Sequence, residues 1–312
     1  MDFDPPLSFF DSRVEDPETL DPAYVSARGW DQVEQEWTEF RPFCPDPQRK
    51  FLATSREHFY GARWQMHCTL VCRTLPGFKK GSSSGPDFFV SSGERRCGVE
   101  CTSLRVNRDY PLNLPKPGRR RNGEVYHFGK AYDDHRLARL GDAVREKRKD
   151  RERHVRSGLL RPEDPFVIAV CLGELVPSME PLSDAVRVSY GAGALIFVQP
   201  IAPTGEAPIE GHWERPAQFS VKATANGLPK DNALFRDPEN DAVSGMIFSA
   251  FCNNAFGGPR DGRELIFVHN FRATNPVAIG TFPFGKEWGR AGEHIAEVND
   301  WRKRDGLLGS PR

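Results

Sequence analysis

The chain contains no run of roughly 18 apolar residues, so no membrane-spanning helix is expected. Met1 to Phe10 is acidic and proline-containing where a secretory leader is basic and then apolar, which points to a soluble, cytoplasmic protein. The glycine-rich phosphate loop that ends in Lys-Ser or Lys-Thr is missing, so nucleotide hydrolysis of that type lacks its motif. Internal repeats and low-complexity tracts are absent as well. The 43 basic and 43 acidic side chains cancel, so overall charge indicates no polyanionic partner. Seven cysteines, an odd number, cannot form a complete disulfide framework within one chain, and free thiols are expected. Cys68 and Cys72 share a spacing of four with Cys97 and Cys101, which raises a four-thiolate zinc site; pairs in such sites are usually closer, so buried small hydrophobes are the preferred reading.

What is present suits a folded core with long ordered loops: 38% hydrophobic residues and 22 phenylalanines, but also 26 prolines and 28 glycines, in 312 residues. Residues 1–50 are broken by proline and read as an N-terminal extension. Thr54 and Glu57 form a capping box that predicts a helix start, with Phe59, Ala62, Met66 and Leu70 as its buried stripe and Pro76-Gly77 as its end. Two apolar runs around Asp87 and Glu100 follow, joined by Ser91-Ser92-Gly93-Glu94, which has the residues of a hairpin turn. Arg105 to Gly129 reads as a basic loop, and Lys130 to Arg156 as a long charged helix stopped by Gly158. Pro165 to Val170 is a continuous apolar run, the pattern of a buried central strand; Ala194 to Val198, Met246 to Phe251 and Glu264 to His269 are further strand candidates. Leu172 to Gly245 reads as excursions from the sheet. The expected fold is α/β, a mixed sheet flanked by helices with long loop insertions, over residues 51–290, with 291–312 as a C-terminal tail.

The chemistry concentrates on three residues. On an extended run Glu100 and Thr102 share one face while Val99 and Cys101 take the other, and a hairpin would bring Asp87 beside Glu100 to share a hard cation. On a helical wheel of about 100° per residue, Leu137, Leu140, Ala143, Val144 and Val155 form one stripe, and Lys147 falls inside it. Arg136 and Arg151 also fall inside and Arg148 lies at its edge. Simpler roles compete: Asp87 as a strand-start residue, Glu100 in a structural ion pair with Arg139, Lys147 snorkelling to solvent past Val144. From Lys116 to Arg161 there are 15 Lys and Arg against 7 Asp and Glu, a local positive excess suited to phosphates or to a solvated helix face.

Pro86-Asp87 followed by Glu100-x-Thr102 resembles the PD-(D/E)xK signature of the restriction-endonuclease-like superfamily, in which a helix precedes a hairpin carrying Asp, Glu and Lys. Arg139-x-x-x-Ala143-x-x-x-Lys147, Asp164-Pro165-Phe166-Val167-Ile168-Ala169-Val170 and Val268-His269-Asn270 with Asn275-Pro276 resemble an uncharacterised bacterial branch of it, over roughly residues 55 to 290. The resemblance implies a restriction-endonuclease-like fold and a nuclease that uses Mg²⁺ or Mn²⁺ on DNA. Asp87 and Glu100 would be metal ligands and, with Lys147, catalytic; Arg119, Arg120, Arg121 and Arg139 would contact nucleic acid. Thr102 occupies the position where the family carries its lysine, which Lys147 would supply from the helix. Gln65 falls near a first-helix glutamate found in many members. These departures leave, as the alternative, a non-catalytic nucleic-acid-binding or interaction protein on a degenerate nuclease-like core.

Overall fold

A computed structural model describes residues 27–104, 130–172, 184–191, 195–198, 210–213, 233–250, 261–291 and 294–303. Prolines set the first helices. Pro47 ends the preceding loop, and its carbonyl accepts the amides of Lys50 and Phe51 to open a helix. The elements at this end are α1 (Ala27–Phe40), α2 (Gln48–Glu57) and α3 (Phe59–Cys72). Thr54 therefore lies inside α2, not at a helix start, and the break comes at His58, whose φ of −139° leaves the helical region. From Val33 onward α1 packs with α2 on α3 around Trp37, Phe40, Phe51, Ala62, Met66 and Leu70. The other face of α3, with Trp64, Cys68, Val71 and Cys72, lies on the sheet.

The strands and remaining helices follow in order: β1 (Lys79–Lys80), β2 (Phe88–Ser92), β3 (Arg95–Ser103), α4 (Lys130–Arg156), β4 (Phe166–Cys171), α5 (Asp184–Tyr190), β5 (Leu195–Val198), β6 (Glu210–Trp213), β7 (Gly245–Ser249), β8 (Ile266–His269), β9 (Lys286–Ala291) and β10 (His294–Asp300). Eight of the strands form one mixed sheet in the order β1-β2-β3-β4-β7-β8-β9-β10, and β5 pairs with β6 apart from it. β3, β4 and β7 run parallel at the centre; β2 is antiparallel to β3, and β8 to β7. The predicted hairpin is present, with Ser92 opposite Arg95 and Gly93 at φ +61° in the turn. β10 pairs with β9 at the sheet edge.

Alternation along the parallel strands divides the core. Val167, Ala169 and Cys171 face α3, while Phe166, Ile168 and Val170 face α4 and α5, joined there by Leu137, Leu140 and Val144 of the predicted stripe. Helix α4 stops where the sequence predicts. Gly158 takes φ +74°, its amide meets the Val155 carbonyl and the Leu159 amide meets that of His154, a glycine-centred C-cap. The buried Arg136 guanidinium donates to both oxygens of Asp184, at 2.6 and 3.0 Å, tying α4 to α5. Cys68, Cys72 and Cys97 are core residues on the α3 side, with Cys101 packed against them. Cys171 departs from the free-thiol expectation: it is disulfide-bonded. Among the described residues no helix is long and apolar enough to cross a membrane.

Candidate functional site

Strand pairing places the two carboxylates. Phe88 lies opposite Val99, so Asp87 and Glu100 are the next positions on the two adjoining chains. β2 begins just after Asp87, at a bend where the Pro86 ring lies close to Gly98; a β-carbon there would meet it at 3.2 Å. Gly98 and Leu104 donate their amides toward β4, so the amide of Cys101, an odd number of residues from both, faces the β2 side just before that strand's first residue. The Asp87 carboxylate takes it, with Oδ2 at 2.7 Å from the Cys101 nitrogen. Its other oxygen accepts the side-chain amide of Gln65 on α3. Trp64, next to Gln65, donates Nε1–H to the Ala169 carbonyl at 2.9 Å and seats this helix on β4. Asp87 is thus a strand-end residue, as the simpler reading has it, and also the neighbour of Glu100.

Glu100 is buried on the α4 side, in register with Ile168. Lys147 reaches it with Nζ 2.8 Å from Oε1, and the same nitrogen lies 3.0 Å from Asp150 Oδ2. Lys147 therefore points inward instead of snorkelling away. The competing cations are committed elsewhere: Arg136 to Asp184, Arg151 to the Pro162 carbonyl, Arg148 to Glu239. Glu100 pairs with Lys147 and with His154, whose Nε2 is 3.4 Å from Oε2, and not with Arg139. Neither His154 nor Asp150 stands out in the sequence, although His154 lies seven residues after Lys147, on the same helical stripe.

Burial and the neighbouring Glu100 hold the Asp87 carboxyl well above the ordinary carboxylate range, against the lowering effects of the Cys101 amide and Lys147; Asp46, in the connection before α2, adds to the rise. Burial pulls the Lys147 ammonium down, but Glu100 and then Asp150 more than offset it, so its pKa stands above the usual lysine value. The rise at Asp87 comes from burial first and from the second carboxylate after it. Among the described residues no group of three or more His, Cys, Asp and Glu side chains is arranged to hold a metal ion. A cation here would have two carboxylates, Asp87 and Glu100, and would complete its shell with other oxygens. That donor set fits Mg²⁺, which keeps several waters, better than an ion needing an all-protein cage.

Arg119, Arg120 and Arg121 lie outside the described residues. Arg139 is half-buried on α4. Much of the positive charge of this helix is already paired: Arg145 with Asp142, Arg148 with Glu239, and Lys147 and Arg153 with Asp150. His269 Nε2–H donates to the Glu287 carboxylate at 2.8 Å, joining β8 to β9, and the Asn270 side-chain amide donates to the carbonyls of Asn240 and Val243, which holds that loop. No protein-family model matches the chain, and neither the curated proteins nor the solved structures contain a match to it.

Proposed function

We propose that this protein is a Mg²⁺-dependent nuclease of restriction-endonuclease-like architecture, hydrolysing phosphodiester bonds with DNA as the expected substrate. One observation carries the reading: Asp87 just before β2, Glu100 on β3 and Lys147 on α4 come together, Lys147 bonded to Glu100 and both acting electrostatically on Asp87. The sheet order, with a helix, a hairpin, a crossover helix and a parallel strand in sequence, is compatible with it. Bound there, Mg²⁺ or Mn²⁺ would supply Lewis acidity and lower the pKa of a coordinated water.

The chain's own residues would do the rest. Asp87 and Glu100 hold the cation. Lys147 has three N–H donors, two of them given to Glu100 and Asp150, which leaves one for a water or a phosphate oxygen. Kept as an ammonium, it orients that oxygen and offsets negative charge developing on the phosphate; it does not act as the base. Asp150, three residues on along α4, restrains the lysine.

A second reading, a metal-free nucleic-acid-binding or interaction protein, is favoured by the hydrogen bonds of Asp87: Gln65 and the Cys101 amide already satisfy it. Metal-dependent cleavage of single- and double-stranded DNA and RNA separates the two. The wild type should cut DNA with Mg²⁺ or Mn²⁺, and Asp87→Asn, Glu100→Gln and Lys147→Met should each lose at least about 100-fold, the scale of a lost electrostatic contact to the transition state. Full activity in the carboxylate variants would show that the site is elsewhere. Nucleic-acid binding with neither cleavage nor a response to Mg²⁺ would establish the second reading.

A further inference from the structure

His154 lies on α4 seven residues beyond Lys147, and its side chain is fully buried. Seven residues bring a helix back to nearly the same face about 10 Å further along its axis. The two side chains take different oxygens of one carboxylate: Lys147 Nζ is 2.8 Å from Glu100 Oε1, and His154 Nε2 is 3.4 Å from Oε2. The second ring nitrogen, Nδ1, has no hydrogen-bond partner among the described residues. A buried N–H without an acceptor costs more than a buried lone pair without a donor, so the proton belongs on Nε2 and the ring donates to Glu100. The ring is also held in place. It packs on Phe166 with centroids 6.3 Å apart, and the His154 carbonyl receives the amides of Leu159 and Leu160 from the Gly158 turn.

We propose that His154 is a positioning residue that fixes the plane of the Glu100 carboxylate, leaving its remaining lone pairs for a cation shared with Asp87. The proposal rests on the metal reading of Asp87 and Glu100. One donor cannot do this alone, because rotation about the terminal carboxylate torsion is broad and two-fold and lets the oxygens exchange. A donor on each oxygen stops it. The lysine is flexible and partly exposed, so the rigid, buried ring supplies the stiffer of the two restraints.

The test uses Mn²⁺ alone as the probe, on the full chain without nucleic acid. His154→Phe keeps an aromatic ring beside Phe166 but has no donor; His154→Gln places an amide N–H near the position of Nε2. Mn²⁺ affinity measured by electron paramagnetic resonance should fall at least about tenfold in His154→Phe and stay within about threefold of wild type in His154→Gln, the range seen when a residue orienting a metal ligand is removed. A purely structural role would not show this rescue. Nitrogen-15 NMR should report the Nε2–H tautomer, with an Nε2–H signal that shifts in Glu100→Gln; the Nδ1–H tautomer would overturn the proposal even if both histidine variants fail to fold. Wild-type Mn²⁺ binding that is unchanged in folded His154→Phe would overturn the proposal alone. No Mn²⁺ binding by the wild type would overturn the metal reading and this proposal with it.

Discussion

Asp87 sets a pH dependence that can be read without any assay of activity. Its folded carboxyl is raised by burial first and by Glu100 second, so the folded state binds that proton more tightly than the unfolded chain, where the value is about 3.9. The contribution of Asp87 to stability is then fully present below about pH 4 and is lost as pH rises through the folded value. Asp87→Asn removes the charge while keeping an acceptor for the Cys101 amide, and the Gln65 amide can turn to match it. This variant should be more stable than wild type near neutral pH, because the folded chain disfavours the charged carboxylate that asparagine lacks. The difference should close toward about pH 4. Thermal melts across pH test it; a variant less stable at neutral than at acid pH, relative to wild type, would contradict the buried, charge-strained carboxyl. Lys147 is one of several cations that a helical wheel admits, and only the commitments of Arg136, Arg148 and Arg151 to other partners single it out. His154 carries a signal in its spacing, but a histidine among arginines at a helix end reads as surface until the packing is seen.

The hairpin and α4 are legible in the sequence because each is specified locally. The turn residues set the β2–β3 connection, and Gly158 sets the end of α4 through a positive φ. The α2–α3 break falls away from the predicted start because a capping-box pattern also fits residues inside a helix, and Pro47 and His58 decide the boundaries. β9 and β10 have no such mark: Lys286 to Asp300 is an edge pair of polar composition, without a continuous apolar run. Gly98 ties an element to the site. A β-carbon there would lie 3.0 Å from Leu160 and 3.2 Å from Pro86, the residue before Asp87. Gly98→Val should cost about 1–3 kcal/mol as an overpacked core position and should weaken Mn²⁺ binding by displacing the Pro86-Asp87 bend. Denaturant midpoints and Mn²⁺ titration check the two effects; an unaltered Mn²⁺ affinity would mean that the bend does not hold Asp87 in place.

Taken over its full length, a neutral chain carries its positive charge unevenly, yet much of the positive charge on α4 is paired with nearby acids. Nucleic-acid binding by the remaining cations should therefore be modest and salt-sensitive: neutralising even three phosphates costs about tenfold or more in affinity between about 50 and 200 mM salt. Fluorescence anisotropy with labelled DNA measures this, and a flat salt response would remove phosphate contacts from the account. Local sequence suffices for the period and length of α4, the hairpin turn, the apolar central strand β4 and the residue types able to hold a cation, because these depend on neighbours a few positions apart. Packing alone settles which cation reaches Glu100, that His154 and Asp150 join it, that β10 closes one edge of the sheet, and that Asp87 is both a strand-end cap and a charge-strained carboxyl. Those outcomes depend on how α3, α4 and the parallel strands come together, and burial, which sets the energy of each charge, exists only once they have done so.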